Sequence, residues 1–387
     1  MTQVMTEPKV SAAKPSMWQM SPLQRRRWAA FRANRRAIWS LRLFLLCLAV
    51  ALPAEFVAND RPLLLSFQGE LYAPVLGGAY EESAFGGDPG LLADFKDEVV
   101  QCLIVSGGLL DPCFDDPEGV VEDAADGVVD GQEITRGWMI FPLIPYSYDT
   151  VNDDVLRAPS PPDANHWLGT DDQTRNVVAR VIYGFRISIL FALAVTAISS
   201  VIGVAAGAVQ GFFGGMIDLF FQRIVEIWNA TPQLYVLILM GAIFTMNFWL
   251  LTFLIALFGW TTLVGVVRAE FLRARNFEYV RAARALGVSN AVIMFRHLLP
   301  NAMVATLTLM PFLITASIGS LAALDFLGYG LPPSYPSLGE LTLQAKNNLQ
   351  SPWLAFTAFI AFTVMLSLLV FIFEGVRDAF DARKSLA

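Results

Sequence analysis

Few residues of this 387-residue chain have the type and spacing that covalent chemistry needs. Residues 122–133, EDAADGVVDGQE, come nearest to a metal loop: Asp126, Gly127, Val129, Asp130 and Glu133 fall at positions five, six, eight, nine and twelve of a helix–loop–helix calcium loop. Position one is Glu rather than Asp and position three is Ala, which removes an oxygen ligand, so a solvated acidic loop is the competing reading. Cys102 and Cys113, with ten residues between them, could form a disulfide in an oxidising compartment or remain two thiols in a small apolar cluster. The third cysteine is Cys47, and the two histidines are His166 and His297, which gives neither zinc-ligand spacing nor a histidine proton relay. The five lysines (9, 14, 96, 346 and 384) all lie outside any Gly-x4-Gly-Lys-Ser/Thr phosphate loop, so the chain binds no ATP by that route and calls for no cofactor of its own.

The stretch with the strongest pattern, residues 277–301 (FEYVRAARALGVSNAVIMFRHLLPN), suits mechanical rather than chemical work. Phe277, Val280, Ala283 and Leu286 recur at helical spacing while Arg281 and Arg284 take the other face. Gly287 is placed to end that helix in the left-handed conformation, and Ser289 to cap a second helix running to His297. A helix, a sharp bend and another helix between two apolar runs form a short projection that a second protein could grip. The arginines 268, 273, 275, 281, 284 and 296 against Glu270 and Glu278 put it on the cytoplasmic side.

RAARALG, with Leu299 and Pro300 following, resembles the "EAA" loop of the membrane subunits of ATP-binding-cassette importers. Ala282, Ala283, Gly287, Leu299 and Pro300 match that pattern, while Arg281 stands where the family has Glu. The resemblance implies that Arg281, Ala282, Ala283, Arg284, Gly287, Leu299 and Pro300 dock on an ATP-hydrolysing subunit. Residues 166–188, HWLGTDDQTRNVVARVIYGFRIS, are similar to a segment of oligopeptide and dipeptide permeases. Leu168, Gly169, Thr170, Asp171, Arg175, Val177, Arg186, Ile187 and Ser188 match there, whereas Thr174 and Asn176 replace the usual Gly and Asp. Residues 325–348, DFLGYGLPPSYPSLGELTLQAKNN, resemble the same family's Gly- and Pro-rich loop and suggest a rigid re-entrant segment near an outer mouth. The arginine-rich start, QRRRWAAFRANRRAIWSLRLFLL, looks similar to the Yej-type branch, whose members take up peptides and the peptide-nucleotide antibiotic microcin C.

These segments need membrane helices to hold them, and composition supplies them. The chain is 55% hydrophobic and 16% charged with mean hydropathy +0.52, against about 25% charged in soluble domains, which marks an integral membrane protein. The net charge of −7 conceals a segregation of signs. Seven arginines and no acid occupy 25–42, whereas thirteen acids and a single Lys96 occupy 88–133. By the positive-inside rule the N-terminus stays cytoplasmic and the acidic region lies outside. An arginine run followed at once by an apolar span argues against nucleic acid as a partner.

The expected fold is an all-α integral membrane protein: six transmembrane helices with the type I importer permease core, plus an extracytoplasmic insertion after the first span. In numbers, 1–37 form a cytoplasmic basic tail, 38–58 the first transmembrane helix, and 59–180 the acidic insertion with an amphipathic lead-in helix. Residues 181–374 form the core of five transmembrane helices with the coupling loop at 268–301, and 375–387 a cytoplasmic tail. Gly203, Gly207 and Gly211 at four-residue spacing mark a helix-packing face in the second span. Arg223 and Glu226, three apart, read as a pair at the cytoplasmic mouth, and Pro311 as a kink whose pore-lining or packing role stays open.

The function implied by the resemblance is a permease subunit, not an enzyme, that moves peptides across a bacterial inner membrane by alternating access. Its implied partners are a second homologous permease, ATP-hydrolysing subunits that bind the ATP, an extracytoplasmic solute-binding protein and membrane lipid. The competing classes are an ATP-independent secondary transporter or channel, and a membrane anchor whose acidic outer region is the working part.

Overall fold

The computed structural model describes residues 22–129, 131–153 and 155–380; of the expected tails 1–37 and 375–387, the parts 1–21 and 381–387 lie outside these. A basic helix α1 (Pro22–Ala33) breaks at Asn34, whose side-chain oxygen accepts from Ala37 N at 3.2 Å and caps α2 (Arg35–Ala51). The first apolar helix is therefore shorter than the expected 38–58, because Pro53 cannot continue it and only a single turn, Ala54–Val57, follows.

Residues 59–145 build a small mixed domain, a departure from the all-α expectation. Strand β1 (Leu64–Phe67) turns into β2 (Glu70–Tyr72) through Gln68 and Gly69, both left-handed at φ 50° and 84°. Three short helices follow, α3 (Glu98–Ser106), α4 (Leu110–Asp115) and α5 (Pro117–Asp123), then a hairpin of β3 (Val128–Val129) and β4 (Gln132–Glu133). Strand β5 (Trp138–Ile140) returns to pair with β1, giving an antiparallel sheet of order β2-β1-β5. Leu65, Phe67, Phe85, Phe95, Val100 and Ile104 bury one core, with Phe67 and Phe85 edge to face at 5.4 Å. A second core holds Leu103, Val120, Ala124 and Val129 around Cys102 and Cys113, which are joined through Sγ with their Cα atoms 5.6 Å apart.

The rest is helical: α6 (Val177–Phe213), α7 (Gly215–Ala230), α8 (Gln233–Ile243), α9 (Phe248–Ala274), α10 (Glu278–Ala285), α11 (Asn290–Phe326), α12 (Leu338–Asn347) and α13 (Pro352–Phe380). Among the described residues, α6, α9, α11 and α13 are long and apolar enough to cross a membrane, and the α7–α8 pair, bent by 67° at Thr231–Pro232, makes five if it is one span. Helix α2 packs along α13, where Gly375 leaves room for Ala37 and Phe31.

The central contact joins α6 to α9. Added Cβ atoms at Gly203, Gly207 and Gly211 would lie 2.5, 2.8 and 2.5 Å from the carbonyl oxygens of Trp260, Val264 and Arg268, so the two backbones touch over three turns. Ser199 continues the stripe one turn earlier, with Oγ donating to Ala256 O at 3.4 Å. Gly207→Leu is expected to lower the thermal midpoint of the detergent-solubilised protein, because overpacking costs about 1–3 kcal/mol. Gly265→Ala, on the same contact's far side with nothing within 4 Å, is expected to melt like the parent. Equal midpoints for parent and Gly207→Leu would show that the close approach carries no stability.

Candidate functional site

The helices present two polar constructions at opposite ends of the bundle. At one end is the hairpin that follows α9. Val280 is fully buried with Phe271, Ile293 and Leu298, which clamps α10 to the bundle by its apolar face. Gly287 has φ +77°, Val288 N donates to Ala283 O at 3.1 Å and Gly287 N to Arg284 O at 3.0 Å, the paired bonds of a Schellman cap. Arg284 lies over the Phe212 ring at 5.1 Å, and Arg281 Nε donates to Asn276 O at 3.1 Å. Outward, the hairpin shows Arg281, Ala282, Arg284 and Pro300 together with uncovered apolar side chains: Leu286 is 83% exposed and Phe295 69%. Ala283 and Leu299 are half-buried beneath them. An exposed apolar patch on a rigidly capped projection has the composition of a docking surface.

The second half of the hairpin differs from expectation. No separate helix ends at His297; Asn290–Phe326 runs as one helix through Pro300 and Pro311. Ser289 precedes it without a side-chain capping bond. The turn Ile293–Leu298 is widened to π geometry, with Leu299 N reaching back to Met294 O, which relieves the helix of the hydrogen bond that Pro300 cannot make. Near this end Arg268 grips Asp218 through Nε and a guanidinium nitrogen at 2.5 and 2.7 Å, tying α9 to α7, a link the sequence reading passed over. Arg223 and Glu226 do pair, at 2.5 Å, on an exposed face.

At the other end Asp171, Arg175, Arg180 and Glu340 form a buried cluster. Asp171 Oδ1 accepts from Gln173 N and Arg175 N, both at 2.9 Å, and Oδ2 from Arg175 Nε at 2.7 Å. Arg175 also reaches Glu340 Oε1 at 3.2 Å and Pro333 O at 3.0 Å. Arg180, wholly buried, lies 3.5 Å from Asp171, pairs closely with Glu340 and donates to Tyr148 O at 3.2 Å. Gln344 donates to Glu340 Oε1 at 2.8 Å. Two arginines and two carboxylates thus neutralise each other while fastening the start of α6 to α12, to the 327–337 loop and to Tyr148 in the segment after the small domain. At its edge His166 N donates to Asp163 Oδ1 at 2.5 Å, and this bond holds the Asp163 carboxyl below the usual carboxylate range.

The motif residues around the cluster have local reasons. Thr174 adopts φ 58°, a left-handed conformation that glycine takes without steric cost. Asn176 accepts from Val178 N at 2.9 Å and Ala179 N at 3.2 Å, capping α6 as Asp would. Asp325 Oδ1 accepts from Leu331 N at 2.8 Å while its other oxygen takes the Ser337 hydroxyl, so one carboxylate folds the Gly/Pro loop. Gly330 and Gly339 lie too close to Asp325 for any side chain.

The description "Binding-protein-dependent transport system inner membrane component" matches residues 199–386. The peptidoglycan transport system permease protein YejE of Agrobacterium fabrum is 49% identical over 96% of this chain and 96% of its own length. The chain belongs to the YejE family of ABC-transporter permeases. The inner membrane ABC transporter permease protein YejE of Escherichia coli is 47% identical over 96% of this chain and 100% of its own. Among solved structures, a chain of the inward-facing MetNI methionine ABC transporter aligns over 52% of this chain and 96% of its own, at 17% identity and TM-score 0.44.

Membership makes the chain a helical membrane permease of the ABC-importer type, a transport component rather than an enzyme. Of the acidic loop's candidate ligands, Asp126 lies in the turn before β3, Glu133 ends β4, and Asp130 lies outside the described residues. Among the described residues no group of three His, Cys, Asp or Glu side chains could hold a metal ion. Asp171 and Arg175 were visible in the sequence as motif positions, but Arg180, Glu340 and Gln344 carried no signal of their own.

Proposed function

We propose that this chain is a peptide-conducting permease subunit of an ABC importer in a bacterial inner membrane, with microcin C-type peptides within its substrate range. Six spans, formed by α2, α6, the α7–α8 pair, α9, α11 and α13, leave both termini in the cytoplasm and the 59–180 region outside. A second homologous permease, two ATPase subunits and an extracytoplasmic binding protein complete the machine. The observation that carries this reading is the capped hairpin at 278–300: clamped inside by Val280, it offers Leu286 and Phe295 to a groove on another protein.

In this mechanism ATP closes the ATPase pair, the hairpin moves with it, and the helices rearrange so that the shared cavity faces outward and then inward. The chain contributes a differential fit to two states, which is all a ligand-driven switch requires. Copurification from membranes with an ATPase subunit, followed by ATP-dependent tripeptide uptake in proteoliposomes, tests it. Uptake driven by an ion gradient in the absence of any ATPase, or labelling of an Arg284→Cys variant by a reagent confined to the exterior, would overturn it.

A further inference from the structure

Two anchors fix how α7 lies against α9. Near its start Asp218 holds Arg268, and near its end Trp228 Nε1 donates to Leu257 O at 2.9 Å with its ring 5.3 Å from that of Phe258. From Asp218 to Trp228 on α7 and from Arg268 back to Leu257 on α9 the chain rises about 15 and 16 Å, so the two helices run antiparallel side by side. Arg223, halfway between the anchors, and Glu226, one turn on, therefore stand level with the middle of α9, which is Thr261. If α9 crosses the membrane, that level is the middle of the bilayer.

Neither charge is turned toward the bundle. Val225 is the residue this stretch buries, whereas the side chains of Arg223 and Glu226 are 78% and 47% exposed and paired with each other at 2.5 Å. Charged side chains at this depth are costly against lipid, and where they occur they face water or a bundle interior. Their exposed neighbours Phe220, Ile224 and Ile227 are too bulky for the small-residue contacts through which membrane helices pack closely, which leaves water. The polar face also continues. Glu226 follows Arg223 by three residues and Asn229 follows Glu226 by three, a spacing that makes them neighbours on the helix surface. Asn229 and Thr231, both exposed, then line a cavity of about 390 Å³ at the break in the bent pair. The polar track therefore runs unbroken from mid-membrane to the bend.

We propose that this track, Arg223, Glu226, Asn229 and Thr231, lines the water-filled path of the peptide, with the ion pair offering one charge of each sign to a hydrated, zwitterionic peptide as it passes. The inference rests on the peptide-import reading. Because the two side chains neutralise each other, the empty path carries no uncompensated charge. Because both are exposed, either can turn to a passing carboxylate or ammonium and return to its partner.

The test uses the full importer complex in proteoliposomes, with Cys47→Ser as background, since Cys102 and Cys113 are bonded to each other. Single cysteines then replace Glu226, Asn229 and, as a reference on the apolar face of α13, Ile360, which is 55% exposed. The probe is a membrane-impermeant methanethiosulfonate bearing a quaternary ammonium, which attacks the thiolate and so needs water at the sulfur. Glu226→Cys and Asn229→Cys are expected to react at least about tenfold faster than Ile360→Cys. Once reacted, both should lose about tenfold in ATP-driven trialanine uptake, because the adduct narrows the path, while treated Ile360→Cys keeps its uptake. Asn229→Cys leaves the ion pair intact and decides the matter if Glu226→Cys does not assemble; failed assembly of both would show a face packed against protein and overturn the proposal. Reaction as slow as that of Ile360→Cys at either assembled position, or rapid reaction with uptake unchanged, would equally overturn it while leaving peptide import standing. Wild-type complex that hydrolyses ATP yet takes up no trialanine would sink the import reading and this inference with it.

Discussion

Arg180→Met is expected to lower the stability of the solubilised permease by about 3–5 kcal/mol, the cost of leaving a buried charge unpaired. Arg180 is completely buried and faces Asp171 and Glu340, themselves buried. Removing its guanidinium leaves two carboxylates sharing Arg175, and no solvent reaches them to make up the difference. Chemical denaturation of the parent, the single variants Arg180→Met and Glu340→Met and the double variant Arg180→Met/Glu340→Met separates this from loss of packing. Deleting both partners should recover most of the loss, since buried pairs replaced by apolar side chains are often neutral. A double variant as unstable as the sum of its singles would show that the residues do not act as a unit.

Gly287→Val is expected to reduce ATP-driven uptake by at least about tenfold while leaving membrane insertion and the melting of the helical core near the parent's. The space around Gly287 is empty, with nothing within 4 Å of an added Cβ, so the penalty is purely conformational. At φ +77° a β-branched residue is strained by roughly 1–3 kcal/mol. The chain relieves that strain by abandoning the cap, which releases Val288 N from Ala283 O and lets α10 fray. If the hairpin couples as proposed, losing its fixed angle stops it passing the ATPase's closure to α9 and α11. The measurement is paired: peptide uptake and peptide-stimulated ATP hydrolysis in the same proteoliposomes. Full uptake by the variant would remove the hairpin from the coupling path, whereas hydrolysis without uptake is the outcome expected of a broken link.

The helices and the hairpin were readable because their signals are local. The Gly203, Gly207 and Gly211 stripe and the cap at Gly287 each show within a dozen residues. What the sequence withheld was distance and length. Arg175 and Glu340 stand 165 positions apart, so two separately legible segments gave no sign of meeting in one cluster. The small domain escaped because its strands have two to four residues, too few for alternation to show, although Gln68-Gly69 was a readable hairpin turn. The expected break after His297 failed for another reason. Proline normally ends a helix, yet the widened turn at Ile293–Leu298 lets α11 run through it, and no residue type signals that adjustment.

That uninterrupted helix has a mechanical consequence. With 37 residues, α11 measures about 55 Å, starting in the hairpin and ending at Asp325, the carboxylate that organises the far loop. A shove delivered at Asn290 therefore arrives at the opposite rim as tilt of a single rod, and Pro311, midway, is the natural elbow where such a lever can flex.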